Sequence, residues 1–377
     1  MARILVTGGA GFVGSHLVDS LVLRGHRVRI YDSLDAQVHG RFPTPNVPAQ
    51  AELVVGDVCD RSALRKALEG VDIIFHLAAQ VGVGQSMYEV ARYVAGNSLG
   101  AATLLDIVAN DRSNLSIQKM IVASSMSIYG EGAYQCPACG MFYPPLRPDQ
   151  QLAASQWEIQ CPKGHGPAEP VATDENKPLY PASVYAITKR DHEEMFLCIG
   201  RAYRIPTVAL RFFNIYGPRQ ALNNPYTGVG AIFCGQLLSR QTPLIFEDGR
   251  QLRDFVHVSD VVQANLLAME RPEADYQVFN VGSGSPVSIL ALANLLIERL
   301  APHVKPQIVG RYRQGDIRHC YADIAKIRNL LGYAPRVSLQ LGVGDLIQWV
   351  KQQTPDQGQT LKVSQMRQEL DAHGLTL

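Results

Sequence analysis

Tyr185 and Lys189 stand four residues apart in a segment with helical spacing, so both side chains share one face, a turn apart. A free phenol ionises at a pKa of about 10. An ammonium beside it favours the phenolate and makes the tyrosine a usable proton acceptor nearer neutral pH. A second polar set, Ser124-Ser125-Met126-Ser127-Ile128-Tyr129-Gly130, follows an apolar run ending at Ala123. In a parallel sheet the C-terminal ends of strands form the ligand crevice, so this loop and the Tyr/Lys helix can meet there. A third set, Gly8-Gly9-Ala10-Gly11-Phe12-Val13-Gly14, joins an apolar run to a helical one. Glycines at this spacing let the backbone approach a pyrophosphate, and the helix start that follows presents free N–H groups to it. Asp32 closes the next apolar run, about 20 residues on, where a carboxylate can bond both adenosine ribose hydroxyls and repel a 2′-phosphate. NAD rather than NADP is expected. A fourth set is Cys136-Pro137-Ala138-Cys139-Gly140 with Cys161-Pro162-Lys163-Gly164-His165-Gly166. Three sulfurs and one imidazole can close a tetrahedral, structural zinc site with no open position. Zinc suits a reducing compartment better than a disulfide.

These groups need a frame to meet. Residues 3–7, 27–31, 52–55, 71–77, 119–123 and 207–211 read as short buried strands. Helical patterns at 14–24, 62–68, 100–109 and 183–203 alternate with them. Such alternation predicts an α/β fold, a Rossmann-type doubly wound parallel sheet whose strand ends form the ligand crevice. A chain of 377 residues also exceeds what one core sustains, so a second, smaller α+β lobe is expected. The expected division is 1–216 plus 252–275 for the NAD-binding domain and 217–251 plus 276–351 for the substrate lobe, beginning near Asn223–Val229. Residues 131–172 are Pro-rich and aperiodic and read as an insert. The tail 352–377 is polar, with one surface helix expected at 363–372. Hydrophobic residues at 46% and charged residues at 18% exclude a disordered chain. A net charge of +1 excludes the basic footprint of a nucleic-acid or anionic-membrane binder. The first apolar run is too short for a signal peptide, and no run reaches a membrane span, so the cytoplasm is the expected compartment.

Thr7–Gly14, Asp32, Gly56-Asp57-Val58, His76-Leu77-Ala78-Ala79, Asn97, the Ser125 loop, the Tyr185/Lys189 pair, Arg211-Phe212-Phe213-Asn214 and Arg253–Asp260 together resemble the extended short-chain dehydrogenase/reductase family. The resemblance spans about residues 1–130 and 173–350, and within the family it points to the nucleotide-sugar epimerases and dehydratases. It implies that Gly8, Gly11, Phe12, Val13, Gly14, Asp32, Leu77, Ala78, Ala79 and Asn97 hold NAD. It implies Asp57 and Val58 at the adenine and Lys189 at the nicotinamide ribose. Ser125 would orient the sugar 4-hydroxyl and Tyr185 take its proton. Ser127, Asn214, Arg253 and Arg313 would hold the nucleotide diphosphate sugar, the arginines as bidentate phosphate ligands. Cys320 falls at a sugar-pocket position of variable size, where it either leaves room or is simply packed.

All chemistries of that branch begin with oxidation at the sugar C4. A 4,6-dehydratase of this type carries an Asp-Glu pair after the catalytic hydroxyl and a decarboxylase a Glu two residues on; here Met126 and Ser127 occupy those places. What remains suffices for 4-epimerisation. The insert and the Arg313–Asp323 run look most like the branch that includes dTDP-L-rhamnose 4-epimerase. UDP-glucose and UDP-N-acetylglucosamine remain alternatives, as do another dehydratase or reductase and an NAD-sensing regulator without turnover. Helices 100–109 and 183–203 usually pair across a two-fold axis in such enzymes. Leu99, Thr103, Ile107, Met195, Leu197 and Ile199 are the residues expected to supply that face of a homodimer.

Overall fold

The computed structural model describes residues 1–40, 46–221, 224, 228–353 and 368–376. The chain opens on β1 (Arg3–Thr7), α1 (Phe12–Leu23), β2 (Arg27–Asp32), β3 (Glu52–Val55), α2 (Arg61–Ala67), β4 (Ile73–His76), α3 (Gly100–Asn110) and β5 (Lys119–Ser125). After the insert come α4 (Val184–Tyr203) and β9 (Thr207–Phe212), and later β10 (Val278–Val281); the insert itself holds β6 (Ala133–Cys136), β7 (Gly140–Phe142) and β8 (Glu169–Val171). The central sheet has the order β10-β9-β5-β4-β1-β2-β3, and every pairing in it is parallel. The chain winds from β1 out to β3, then crosses to β4 on the other side of β1. That reversal opens the crevice at the strand ends.

Apolar layers cover both faces, as a parallel sheet requires. On one face Leu17, Val18 and Leu21 of α1 pack with Val261, Val262 and Leu266 of the helix Val258–Glu270. On the other, Leu64, Leu104, Leu105, Phe196 and Leu197 of α2, α3 and α4 pack against Leu5, Ile74 and Val122. The second lobe has its own core, with Phe233, Leu237, Leu292, Leu296, Val343 and Leu346 from three helices.

Three expectations change here. The domain division at 275/276 falls one strand early: Phe279 and Val281 of β10 are fully buried and pair β10 parallel to β9, so this strand belongs to the Rossmann sheet. Conversely, Leu252–His257 lies in a separate three-stranded sheet, between Asn214–Tyr216 and Pro286–Ser288. The expected tail helix lies partly outside the described residues. Its described part, helical over 368–372, is the expected surface helix and is tied down: Glu369 accepts from Tyr88, Asp371 pairs with Arg311, and His373 stacks on Tyr88. Ile107 and Leu197 are already buried within the chain, so they do not offer a second apolar face. Leu99 does, at 53% exposure.

The insert is a small antiparallel sheet with β6 in the centre. Its ends lie side by side, since Ala133 pairs with Val171. Among the described residues no helix is long and apolar enough to cross a membrane.

Candidate active site

The glycine turn leaves β1 and enters α1 at its N-terminus, and its tightness depends on missing side chains. A Cβ on Gly14 would stand 2.2 Å from the Gly8 carbonyl oxygen, and one on Gly8, at φ +70°, would stand 2.7 Å from the Ala78 nitrogen. The Asp32 carboxylate is braced by the Ala10 N–H (3.0 Å) and the Leu34 N–H (2.9 Å). Asp57, beyond β3, accepts from the Cys59 N–H at 2.8 Å. Together with Phe12, Val13, Val58, Leu77, Ala78 and Ala79 these residues line one cleft of about 460 Å³. The cleft runs on to Ser125, Ser127, Tyr185, Lys189 and Asn214. A glycine cradle at a helix start, an aspartate at the end of the second strand and a Tyr/Lys pair at the far end fit an extended dinucleotide.

At the catalytic end β5 delivers the serine loop and α4 delivers the Tyr/Lys face. Ser183 caps α4 by accepting from the Ala186 N–H at 3.1 Å, which fixes where that face begins. The Ser125 oxygen accepts from the Ser127 hydroxyl (2.9 Å) and the Ser127 N–H (3.2 Å). Burial pushes the Tyr185 phenol up to about 12, and its hydrogen bond with Ser125 pulls it back. Burial also brings Lys189 down to about 7. Its Nζ donates to the Ala123 carbonyl (2.9 Å) and lies 3.4 Å from His192 Nδ1. Burial thus disfavours both charged forms.

Sequence reasoning did not find the floor beneath this loop. Ser124 donates to Glu193, which is held by Arg211 at 2.5 and 2.9 Å. Arg211 also donates to the Tyr129 hydroxyl, which donates to Asn280. The chain of bonds ties β5, α4, β9 and β10 together under Ser125. One signal was present: Glu193 extends the i, i+4 row begun by Tyr185 and Lys189. Gln220 and Asn224 also line the cleft and carry no sequence motif.

The other expected site residues divide. The side-chain oxygen of Asn214 is buried in the cleft wall without a hydrogen-bond partner, as a ligand contact awaiting its donor would be. Asn97 is fully buried behind the cleft, bonded to both backbone groups of Gln80 and to Thr188. It positions the loop after β4 rather than lining the cleft. Arg253 donates to the carbonyls of Leu252, Ile317 and Arg318. Arg313 pairs with Asp316 at the surface and lies over the Phe246 ring. Cys320 is buried beside Thr173 and bridges to Arg253. None of these last three lines the described cleft. In the expected stretch Asn223–Val229, residues 223 and 225–227 lie outside the described residues, while Asn224, Gly228 and Val229 line the cleft. Cys136, Cys139, Cys161 and His165 do come together, in the insert.

A parallel sheet with a dinucleotide cradle and a Ser/Tyr/Lys set at its switch point defines a nicotinamide-dependent enzyme of the Rossmann class. Residues 4–157 and 160–282 match the NAD-dependent epimerase/dehydratase family, and the chain belongs to it. It is 36% identical, over 93% of its length and 95% of the relative's, to the dTDP-L-rhamnose 4-epimerase of Burkholderia thailandensis. Among solved structures it is similar to the UDP-glucose 4-epimerase of Thermotoga maritima with UDP-glucose, at 30% identity and TM-score 0.74, covering 93% of this chain and 98% of that one. It is also similar to the UDP-glucuronic acid 4-epimerase of Bacillus cereus with UDP-glucuronic acid and NAD, at 26% identity and TM-score 0.76, covering 93% and 99%.

Proposed function

We propose that the protein is an NAD-dependent nucleotide-sugar 4-epimerase and that dTDP-L-rhamnose is its foremost candidate substrate. The observation that carries the reaction type is the placement of acids. The carboxylates lining the described cleft are Asp32, Asp35 and Asp57, all at the ends of β2 and β3, away from Ser125 and Tyr185. Elimination across C5 and C6 needs an acid and a base at the sugar, and among the described residues no such carboxylate lines the cleft there. Ser125 orients the C4 hydroxyl, and Tyr185 takes its proton and later returns it. Lys189, a turn along α4, supports the phenolate by its charge. NAD, which the glycine turn, Asp32 and Asp57 would hold, would supply reversible hydride acceptance from the sugar C4. Asn214 meets the nucleotide diphosphate sugar from the cleft wall, and for Arg253 and Arg313 the support for a diphosphate contact is the family resemblance alone. The choice of dTDP-L-rhamnose rests on the relative that is 36% identical over nearly the full length of both chains. A cytoplasmic setting accords with seven cysteines none of which is paired in a disulfide.

The test is to incubate the purified protein with dTDP-L-rhamnose, UDP-glucose and UDP-N-acetylglucosamine in turn. NMR follows the C4 configuration while absorbance follows the dinucleotide. The C4 epimer should appear from the first sugar with no net change in NAD. Net dehydration, stoichiometric consumption of NAD, or tight NAD binding with no turnover of any sugar would each overturn the assignment.

A further inference from the structure

The insert contains a cluster that the epimerase chemistry does not use. The ligand-competent atoms of Cys136, Cys139, Cys161 and His165 all lie within 4.8 Å of one another. The His165 Nδ1 is 3.7 Å from the Cys136 sulfur, 3.1 Å from Cys139 and 3.6 Å from Cys161, and the Cys139 and Cys161 sulfurs are 3.5 Å apart. Bonds of ~2.3 Å to sulfur and ~2.0–2.1 Å to nitrogen, at tetrahedral angles, set edges of about 3.8 Å (S to S) and about 3.6 Å (S to N). The cluster therefore has the size of a tetrahedral shell around one ion. It is too open for a disulfide, whose sulfurs stand ~2.05 Å apart.

The backbone is built for it. Cys136 and Cys139 flank the turn between β6 and β7, closed by the Cys139 N–H on the Cys136 carbonyl and by Gly140 at φ +78°. Cys161 and His165 flank a second turn, closed by the Gly164 N–H on the Cys161 carbonyl and by Gly164 at φ +78°. The N–H groups of Lys163 and His165 bond the Cys161 sulfur. The insert's own apolar core is small: Tyr134, Ile159 and Ala168, with Phe142 beside them. So small a core needs a staple.

We propose that Cys136, Cys139, Cys161 and His165 bind one structural Zn²⁺, and that the metal-closed insert clamps the segment 311–320 of the second lobe in place. Three thiolates and an imidazole fill the four positions of zinc and leave none for water or substrate. Binding releases the three thiol protons, so the metal is held through the folded turns. The clamp is polar. Glu158, just before Cys161, accepts from Arg318 at 2.5 Å and faces His319 at 3.0 Å. Glu131, at the mouth of the insert, accepts from the Arg318 N–H at 2.7 Å, and the Gly132 N–H bonds the His319 carbonyl at 2.8 Å. Arg147 of the insert is bidentate to Glu247 of the second lobe at 2.8 and 3.0 Å.

The experiment uses full-length protein purified without chelator, free of substrate, so its outcome is independent of the epimerase assignment. Elemental analysis should find about one zinc per chain, and Cys136→Ser/Cys139→Ser should fall below a tenth of that. Protein reconstituted with Co²⁺ should show the thiolate charge-transfer and tetrahedral ligand-field bands. Hydrogen exchange at 311–320 should speed up at least several-fold in the double variant while the exchange of β1 and β4 is unchanged. Wild-type protein with less than a tenth of a zinc, iron in its place, or zinc retained by the double variant overturns the site. Zinc lost with no change of exchange at 311–320 overturns the clamp.

Discussion

Tyr185 carries a burden that its own burial opposes. Burial holds its phenol up at about 12 and Lys189 down at about 7. Replacing Tyr185 by Phe removes only the ionisable oxygen. Turnover should fall on the order of 10²–10⁴-fold, while NAD affinity, measured by calorimetry, stays near that of the wild type. Near-normal turnover would take Tyr185 out of the mechanism. Two histidines behind the pair set a second expectation. Burial, then the Lys189 charge, pushes His76 down to about 3, and the same two causes, then His76, hold His192 well below its usual range. Their rings are 5.1 Å apart. Folded, both stay neutral where the unfolded chain takes up a proton on each. The stability they support is therefore whole above pH ~6.5 and is lost as pH falls toward 3, at about 1.4 kcal/mol per pH unit for each histidine. Urea titrations between pH 6.5 and 4.5 should show a slope shallower by about that amount in His76→Asn. Parallel slopes in the two proteins would contradict the burial of a neutral His76.

Whole elements were legible in the sequence where their signal was local. The glycine turn, Asp32 and the Tyr/Lys row each depend on spacing within a turn or at a strand end, and the structure gathers them in one cleft. The Cys/His set was legible for the same reason. What escaped reading was pairing over long separations. Arg318 is completely buried, and its guanidinium meets Glu158 from one segment and the neighbours Glu247 and Asp248 from another. No pattern around residue 318 announces partners 70 and 160 positions away. β10 was misassigned because a four-residue strand, three apolar residues and Asn280, carries no mark of which sheet it joins, and that is decided by β9 beside it. Buried ion pairs of this kind are costly to break from one side. Arg318→Met should lower the unfolding free energy by about 3–5 kcal/mol in denaturant titrations. Arg24→Ala, which removes an exposed pair with Glu270, should cost no more than about 1 kcal/mol. Equal effects from the two would mean that the buried network contributes nothing beyond surface charge.

At the scale of the molecule, α3 and α4 lie together on one face of the sheet and leave apolar side chains in water. Val90, Val94 and Leu99 on the run leading into α3 are 45%, 44% and 53% exposed, and Ile187 on α4 is 47% exposed. A homodimer through this face is the expected assembly, with the contact shifted toward the start of both helices because Ile107 and Leu197 are spent on the internal core. Leu99→Glu/Ile187→Glu should convert a dimer to a 41.3 kDa monomer in light scattering, with NAD binding retained. A wild-type protein that scatters as a monomer at micromolar concentration would refute the assembly. The insert's adjoining ends bear on how the chain finds its form. Ser125 and Tyr185 must be brought together across a loop of roughly sixty residues, and closure cost rises with the logarithm of loop length. Once Ala133 has paired with Val171, the path between the two catalytic groups shortens to roughly twenty residues, a saving in chain entropy of about 1 kcal/mol. An excursion that closes on itself is thus nearly invisible to the polymer around it, and a Rossmann enzyme can carry it between its two catalytic groups without folding more slowly for it.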